Sequence, residues 1–422
     1  MKKIKTPIVI LGIAKSGSSA KNLLLKAGYS TENILTFDEK KPADLVTWSD
    51  FEKLQIGTLI VSPGISLKSD GLKNLLKKGW QLSSEISLAC DFLADEKIIG
   101  ITGSVAKSTV TSLVGQAILA DDPNGFVGGN LGIPFSEYAL RVLNGSPRAK
   151  WIVLELSSYQ LENCKGLQLY SSAITYLSAN HLERYESIDE YYLTKCHISQ
   201  ITKNICVLNS QSEDILKYQK YIACITKMTS AKIFKNTELL EKVKLIGEHN
   251  KDNFCIAYEL VQNAGLSQTA TNAMVGFSGL EHRLEFVAEK NGVIYINDSK
   301  ATAMDSVLVA VKASLEKVKS ESHLYLLIGG KDKNLPWDDL AGLVQNNKIK
   351  IIYFGECGKL AQIKMMAFKS KYYSTLGAAF DSLKDLVQKK DVVLLSPGGT
   401  SLDEFKNFED RGNFFKQKVE SI

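Results

Sequence analysis

The chain has 422 residues, 45% of them apolar and 23% charged, a composition of ordinary globular proteins and a length that allows two to four domains. Its net charge of +5 is modest and its lysines are spread along the chain, which suits anionic small molecules and gives no reason to invoke nucleic acid. No apolar run is long enough to span a membrane, the N-terminal apolar stretch is too short and Gly-interrupted for a signal peptide, and seven cysteines without a CxxC pair fit reduced thiols in a cytoplasm, not disulfides or zinc.

Three segments follow one another by pattern, and the expected fold class is α/β throughout. In the first, residues 1–93, short apolar runs (Ile8–Leu11, Ile34–Phe37, Thr58–Val61) alternate with helix-like stretches at Ser18–Leu25 and Gly71–Lys77, which predicts a parallel sheet. The turn Gly12–Gly17, which includes Ser16, holds the positions of a GxGxxG dinucleotide fingerprint but has Ala14 in place of the middle Gly. Asp38 stands where a ribose-binding acid would, or serves as a turn residue. Ser62-Pro63-Gly64 forms a third loop at the same sheet edge.

The second segment, residues 94–279, opens on the most telling stretch, Ile98–Thr111 (IIGITGSVAKSTVT). An apolar strand runs into Gly103, Ser104, Val105 and Ala106, then into Lys107, Ser108 and Thr109, and a helix-like stretch begins at Val110. That order suits a phosphate-binding loop: backbone N–H groups face phosphates, the Lys neutralises them, and a hydroxyl reaches Mg²⁺. Ala106 replaces the Gly common before the Lys; if the backbone there needs a positive φ, Ala costs roughly 1 kcal/mol or more. Two further strands, Trp151–Leu154 and Ala173–Tyr176, lead to Glu155 and to Asn180-His181-Leu182-Glu183-Arg184, so all three loops are expected at one sheet edge. Glu155 is a candidate metal ligand or a strand-end surface acid. Read singly, His181 is more often structural, and Lys195, on a helix expected over Tyr191–Ser199, is ordinarily a solvated charge.

The third segment, residues 280–422, repeats the scheme with strands Val293–Ile296, Tyr325–Ile328 and Val392–Leu395, each ending in a polar loop. Arg283 offers a fixed positive charge suited to a γ-phosphate. Asp298 and Lys300 are placed to hold a ribose or base, with an N-cap as the alternative for the Asp. Lys333 and Ser401 are candidates for a carboxylate substrate.

Together these residues resemble a family. Thr102–Thr109, Gly129-Asn130-Leu131-Gly132, Glu155–Leu161 and His181 to Arg184 are similar to the ATP-dependent Mur ligases of peptidoglycan synthesis. Ser62–Ile65, Ser84-Glu85-Ile86, Asn297–Thr302 and Ser396 to Gly412 narrow the resemblance to members that add D-glutamate, in order from residue 8 to about residue 415. The resemblance implies three domains: a Rossmann-like UDP-binding domain, a central P-loop ATPase-like mononucleotide-binding domain, and a C-terminal Rossmann-like domain that binds the incoming amino acid. It implies a cytoplasmic, monomeric enzyme, with no nucleic acid or membrane partner, that joins D-glutamate to UDP-N-acetylmuramoyl-L-alanine through an acyl phosphate. It assigns ATP and two Mg²⁺ ions to Lys107, Ser108, Glu155, His181 and Lys195, the last as a carbamate. Asn253, Arg283, Asp298 and Lys300 match nucleotide contacts. Thr302, Lys333, Ser401 and Phe408 match the amino-acid pocket, and Ser16, Asp38, Gly64, Asn130 and Ser157 the UDP-sugar side.

The departures are specific. Where the family loop reads GTNGK, this chain has Val105 and Ala106; Asn180 and Glu183 flank His181 where acids are usual before it and an Asp after it; and Ser396–Ser401 reads SPGGTS where the family has SPACAS. These changes keep two other readings in view: a sister ligase using another amino acid such as L-glutamate, and a UDP-sugar- and nucleotide-binding protein without turnover. A nicotinamide dehydrogenase rests on the Gly12 turn alone, and Ala14 speaks against it.

Overall fold

The computed structural model describes residues 4–422 apart from 179–183, 303, 332–336, 346–347 and 366–369. The chain divides into two compact units, residues 1–241 with 252–275, and residues 242–251 with 276–422. Each is built on parallel sheet, as continuous apolar runs flanked by helix-forming stretches dictate.

The first unit carries two sheets. In one, β1 (Ile8–Leu11), β2 (Ile34–Phe37), β3 (Thr58–Val61) and β4 (Gln81–Ser83) lie in the order β2-β1-β3-β4, all parallel. Helices α1 (Lys15–Lys26), α2 (Asp70–Lys77) and α3 (Glu85–Cys90) accompany it. In the other, β5 (Lys97–Thr102), β6 (Phe126–Gly129), β7 (Trp151–Glu155), β8 (Ser171–Ile174), β9 (Ile205–Asn209) and β10 (Ile225–Thr229) take the order β10-β9-β8-β5-β7-β6, again parallel. Its helices include α4 (Lys107–Asp121), α5 (Ser136–Leu143), α6 (Ser158–Leu161) and α7 (Ile188–Cys196). One apolar cluster runs from Ile8 and Ile10 through Leu23 and Ile86 to Ile152 and Leu154, so the two sheets share a core. Polar contacts at that seam include Ser136 Oγ to Ser19 Oγ at 2.7 Å and the Ser136 N–H on the buried Glu85 carboxylate.

In the second unit, β11 (Glu285–Lys290), β12 (Val293–Asn297), β13 (Leu324–Gly329), β14 (Ile349–Phe354), β15 (Tyr372–Tyr373) and β16 (Val392–Gly398) form a sheet in the order β11-β12-β16-β13-β14-β15. Only the β11–β12 pair is antiparallel; the others are parallel, with apolar clusters on both faces. All seven cysteines are free thiols. No helix among the described residues is long and apolar enough to cross a membrane.

Candidate active site

The phosphate-loop stretch sits between the C-terminal end of β5 and α4. The helix starts at Lys107, three residues before the apolar pattern suggested, so Lys107, Ser108 and Thr109 form its first turn, where backbone N–H groups lack intrahelical partners. Gly103 has φ +147°, and a Cβ there would stand 2.1 Å from Thr175 Oγ1; only glycine fits. Ala106 has φ 67° and ψ −5°, the left-handed conformation its Cβ opposes. The loop is held from β8: Thr175 Oγ1 donates to Val105 O at 2.6 Å, Ser104 N to Tyr176 O at 2.6 Å, and Ser104 Oγ to Ser178 O at 2.8 Å. The Val105 side chain lies exposed at the loop tip.

Two lysines converge on this loop. Lys107 Nζ donates to Gly103 O at 2.9 Å and Ser104 O at 3.1 Å, and Lys195 Nζ donates to the same Gly103 O at 2.8 Å. Lys195 is buried, not a solvated helix charge, with Nζ 4.6 Å from the centroid of the Tyr191 ring one turn earlier. Burial holds its ammonium well below the usual lysine range; Lys107 pushes the same way and Glu155 opposes it. Glu155, at the end of β7, is buried too. Its Oε1 accepts from Asn130 Nδ2 at 2.6 Å, while Oε2 has no partner among the described residues. Asn130 is aimed by the positive φ of Gly129 and by its own N–H, which donates to Glu155 O at 2.8 Å.

A buried carboxylate oxygen without a donor is costly, and hard cations take oxygen ligands, so Glu155 beside the loop fits a divalent ion. No group of three His, Cys, Asp or Glu side chains able to hold a metal occurs among the described residues. His181 lies outside them, as do Asn180 and Glu183. Ser157 is half-buried as the N-cap of α6, its Oγ accepting from Gln160 N at 3.2 Å.

On the first sheet, Ser16 follows β1 at the start of α1, and Asp38 and Gly64 follow β2 and β3 in loops at the same sheet edge. Asp38 has a turn role: Oδ1 accepts from Lys40 N at 3.0 Å and Lys41 N at 3.1 Å, and Oδ2 from Ile13 N at 3.4 Å. These bonds, led by that from Lys40, hold its carboxyl below the usual range. Ser16 is half-buried in the first turn of α1, and Gly64 is exposed with open space about its Cα.

In the second unit, Asp298 is not an N-cap. It is buried past β12, Oδ2 accepting from Ser396 Oγ at 2.9 Å and Oδ1 from Leu284 N at 3.2 Å. Burial pushes its carboxyl up to about 7 against these bonds and the charge of Arg283. Lys300 Nζ lies 5.3 Å from the centroid of the Phe408 ring, which brings a nucleotide candidate beside an amino-acid candidate. Ser401 is buried and accepts Phe405 N at its carbonyl, 2.7 Å away, while Thr302 is half-buried in the loop after β12. Lys333 lies outside the described residues. Asn253 is buried on the helix Glu248–Ala264, in the part that belongs to the first unit.

Two residues quoted only within motifs carry more than their positions suggested. Arg411, buried, donates from Nε to Ser299 Oγ at 3.0 Å, from Nη2 to Ser299 O at 2.8 Å and from Nη1 to Gly399 O at 3.1 Å, tying two candidate loops together. Arg184 does the same in the first unit, on Pro63 and Ile65. Thr175 was legible only as a polar residue late in an apolar strand.

Known proteins resemble this chain over nearly its whole length. A family model described as the Mur ligase middle domain matches residues 101–232, and one described as the Mur ligase, glutamate ligase domain matches residues 282–399. The UDP-N-acetylmuramoylalanine–D-glutamate ligase of Haemophilus influenzae is 33% identical over 97% of this chain and 96% of its own. Those of Elusimicrobium minutum and Pseudomonas aeruginosa are 31% and 32% identical, over 98% of this chain and 97% and 98% of theirs. The chain belongs to the Mur ligase family. Among solved Mur ligases it shares the fold of the UDP-N-acetylmuramoylalanyl-D-glutamyl-2,6-diaminopimelate–D-alanyl-D-alanyl ligase of Acinetobacter baumannii, with a TM-score of 0.61, 16% identity and coverage of 95% and 98% of the two chains. It also shares that of the MurF ligase of Thermotoga maritima in complex with ADP, with a TM-score of 0.59, 16% identity and coverage of 100% and 96%. The loop between β5 and α4 carries Val105 and Ala106 within a strand–loop–helix frame.

Proposed function

We infer that the chain joins D-glutamate to UDP-N-acetylmuramoyl-L-alanine in an ATP-dependent reaction of peptidoglycan precursor synthesis, working as a monomer in the cytoplasm. The carrying observation is the cluster of half-buried Lys107 with buried Lys195 and Glu155 at the phosphate loop, where both lysines meet Gly103 O and one carboxylate oxygen has no donor among the described residues. Relatives about 32% identical over nearly the whole chain carry the substrate assignment. Residues 1–93 are assigned to the UDP-sugar, 94–279 to ATP and 280–422 to the amino acid.

The substrate carboxylate attacks the γ-phosphorus of ATP and ADP leaves. The amine of D-glutamate adds to the acyl phosphate, and the tetrahedral adduct expels phosphate as the amide forms. Such a reaction asks the protein mainly for positioning and charge neutralisation. Lys107 and the first turn of α4 are assigned to the β- and γ-phosphates, and Gly103, Ser104, Val105, Ala106 and Thr109 to the cradle around them. Mg²⁺ supplies charge neutralisation; Ser108 and Glu155 would hold one ion, His181 and Lys195 a second. A neutral buried amine adds CO₂ and releases a proton, and the burial of Lys195 beside Lys107 supports its assignment as a carbamate. Asn130, Ser157, Ser16, Asp38 and Gly64 are assigned to the UDP-sugar; Asn253, Arg283, Asp298 and Lys300 to the nucleotide; Thr302, Lys333, Ser401 and Phe408 to D-glutamate.

The test is release of ADP and phosphate from ATP, Mg²⁺ and UDP-N-acetylmuramoyl-L-alanine with D- or L-glutamate. Turnover with D-glutamate alone is the expected result. Turnover with L-glutamate alone replaces the amino acid and keeps the chemistry, whereas tight UDP-sugar binding with no ADP from any amino acid refutes the ligase.

A further inference from the structure

We propose that Arg184 is a positioning residue for the UDP-sugar: its guanidinium fixes the loop after β3 so that backbone N–H groups of that loop face the diphosphate. Nη1 donates to Pro63 O at 2.6 Å and Nη2 to Ile65 O at 3.1 Å, so one planar group grips the carbonyls on either side of Gly64. A trans peptide points its N–H opposite to its C=O. Holding the Pro63 and Ile65 carbonyls toward Arg184 therefore turns the Gly64 and Ser66 N–H groups away from it, a pair of donors of the kind that receives anions.

The guanidinium is itself fixed. Nη2 meets Glu162 Oε2 at 3.0 Å, the plane lies 3.9 Å over the Tyr159 ring, and Glu162 Oε1 accepts from Tyr185 Oη at 2.6 Å. Glu162 and Tyr159 belong to the α6 region of the second sheet, so the loop of one sheet is registered against the other. Apolar packing holds the loop chiefly to its own sheet, with Ile65 and Leu67 lying against the cluster that includes Leu11 and Val61. An open cavity of about 290 Å³ lies beside the next residues, with Leu67 and Tyr185 in its lining as well as Ser66, Lys68, Glu162 and Arg184. Beyond it Lys68 Nζ crosses back to Glu190 at 2.6 Å and Glu186 at 2.9 Å, as a solvent-screened second tie. Arg184, its side chain 10% exposed, is thus the better-shielded polar link, tying the loop to α6.

The inference rests on the UDP-sugar reading of the first sheet, and two measurements separate its failure from the failure of that reading. Calorimetric titration of Arg184→Lys and Arg184→Ala with UDP and with UDP-N-acetylmuramoyl-L-alanine is expected to show Kd raised by about 10- to 100-fold, because two largely shielded charge-assisted hydrogen bonds to the loop are lost. KM for the UDP-sugar rises in parallel, while KM for ATP and for D-glutamate stays within about twofold, a split that general destabilisation would not give. Amide exchange of the ligand-free chain is the second measurement. The Ile65 N–H, bonded to Ser62 O at 3.0 Å, is expected to exchange about tenfold faster in both variants, with the Ser62 N–H on Leu11 O unchanged. Lys68→Met, on the exposed tie, leaves Ile65 exchange within twofold. Unchanged exchange at Ile65 in folded Arg184 variants overturns the proposal whatever the ligand. Faster exchange with unaltered UDP affinity overturns its diphosphate part, and a wild-type chain that binds neither UDP compound overturns the UDP-sugar reading instead.

Discussion

Ala106 is the point where this loop's sequence and its backbone disagree, and the disagreement has a size. Its φ of 67° and ψ of −5° place a Cβ in the left-handed region, which costs an L-residue about 1–2 kcal/mol. Ala106→Gly removes that strain but frees the unfolded chain, returning about 0.5–1 kcal/mol. The net stabilisation is about 0.5–1 kcal/mol, which for a unit of this size raises the thermal midpoint by roughly 1–4 °C. Ala106→Val is the opposite control: a β-branched residue at positive φ is a stronger outlier, and its midpoint is expected below that of the parent. Since released strain cannot add more than itself to binding, KM for ATP improves by no more than about 30-fold in the Gly variant. Scanning calorimetry of the three proteins, with ADP release at varied ATP, reads both quantities. A Gly variant no more stable than the parent, or a Val variant as stable as the Gly one, refutes the reasoning, because the loop would then have a different backbone at position 106.

Lys195→Ala is expected to lower ADP release by at least about 100-fold, with partial recovery on adding formate or acetate, whose oxygens replace those of a carbamate; unchanged turnover rejects the carbamate. Glu155→Gln keeps an acceptor for Asn130 and removes the charge, so the Mg²⁺ concentration for half-maximal turnover should rise by at least about tenfold; an unaltered Mg²⁺ titration removes Glu155 from the metal site. Asp298 gives a pH test. Its carboxyl is pushed from 3.8 up to about 7 by burial, so between those values the folded state binds more protons than the unfolded one and stability falls as pH rises. Relative to the parent, Asp298→Asn should therefore gain thermal stability from pH 4 to about 7 and level off above; a stability difference flat with pH across that window shows that Asp298 ionises normally.

The sequence showed the sheets because their strands are continuous apolar runs, and a run such as Val392–Leu395 has no stable place except between two helical layers. It showed the phosphate loop because Gly103, Lys107 and Ser108 act through positions fixed by chain order. It did not show which charges are buried. Lys195 and Tyr191 are one turn apart on a helix whose two faces are about equally mixed in composition, and nothing local tells which face meets Gly103. Arg411 and Arg184 were motif letters without roles because each acts on backbone carbonyls of other loops, Arg184 on Pro63 and Ile65 and Arg411 on Ser299, all more than 100 residues away in sequence, and on Gly399 in the loop just before its own helix. Backbone carbonyls have no residue type, so a side chain that serves them leaves no pattern to read.

The same contrast separates the two departures in the loop. At 105 the backbone is anchored regardless of side chain, since Thr175 Oγ1 holds the carbonyl, and Val exposes its methyls at the tip. What changes there is side-chain chemistry toward a ligand, with no strain in the fold. At 106 the side chain contributes almost no chemistry, and what changes is the energy of the turn that starts α4. A double variant Val105→Asn, Ala106→Gly should accordingly show additive effects on separate observables, nucleotide affinity from the first and thermal midpoint chiefly from the second. Strong non-additivity in the midpoint would mean that Val105 helps impose the left-handed turn that Ala106 now strains.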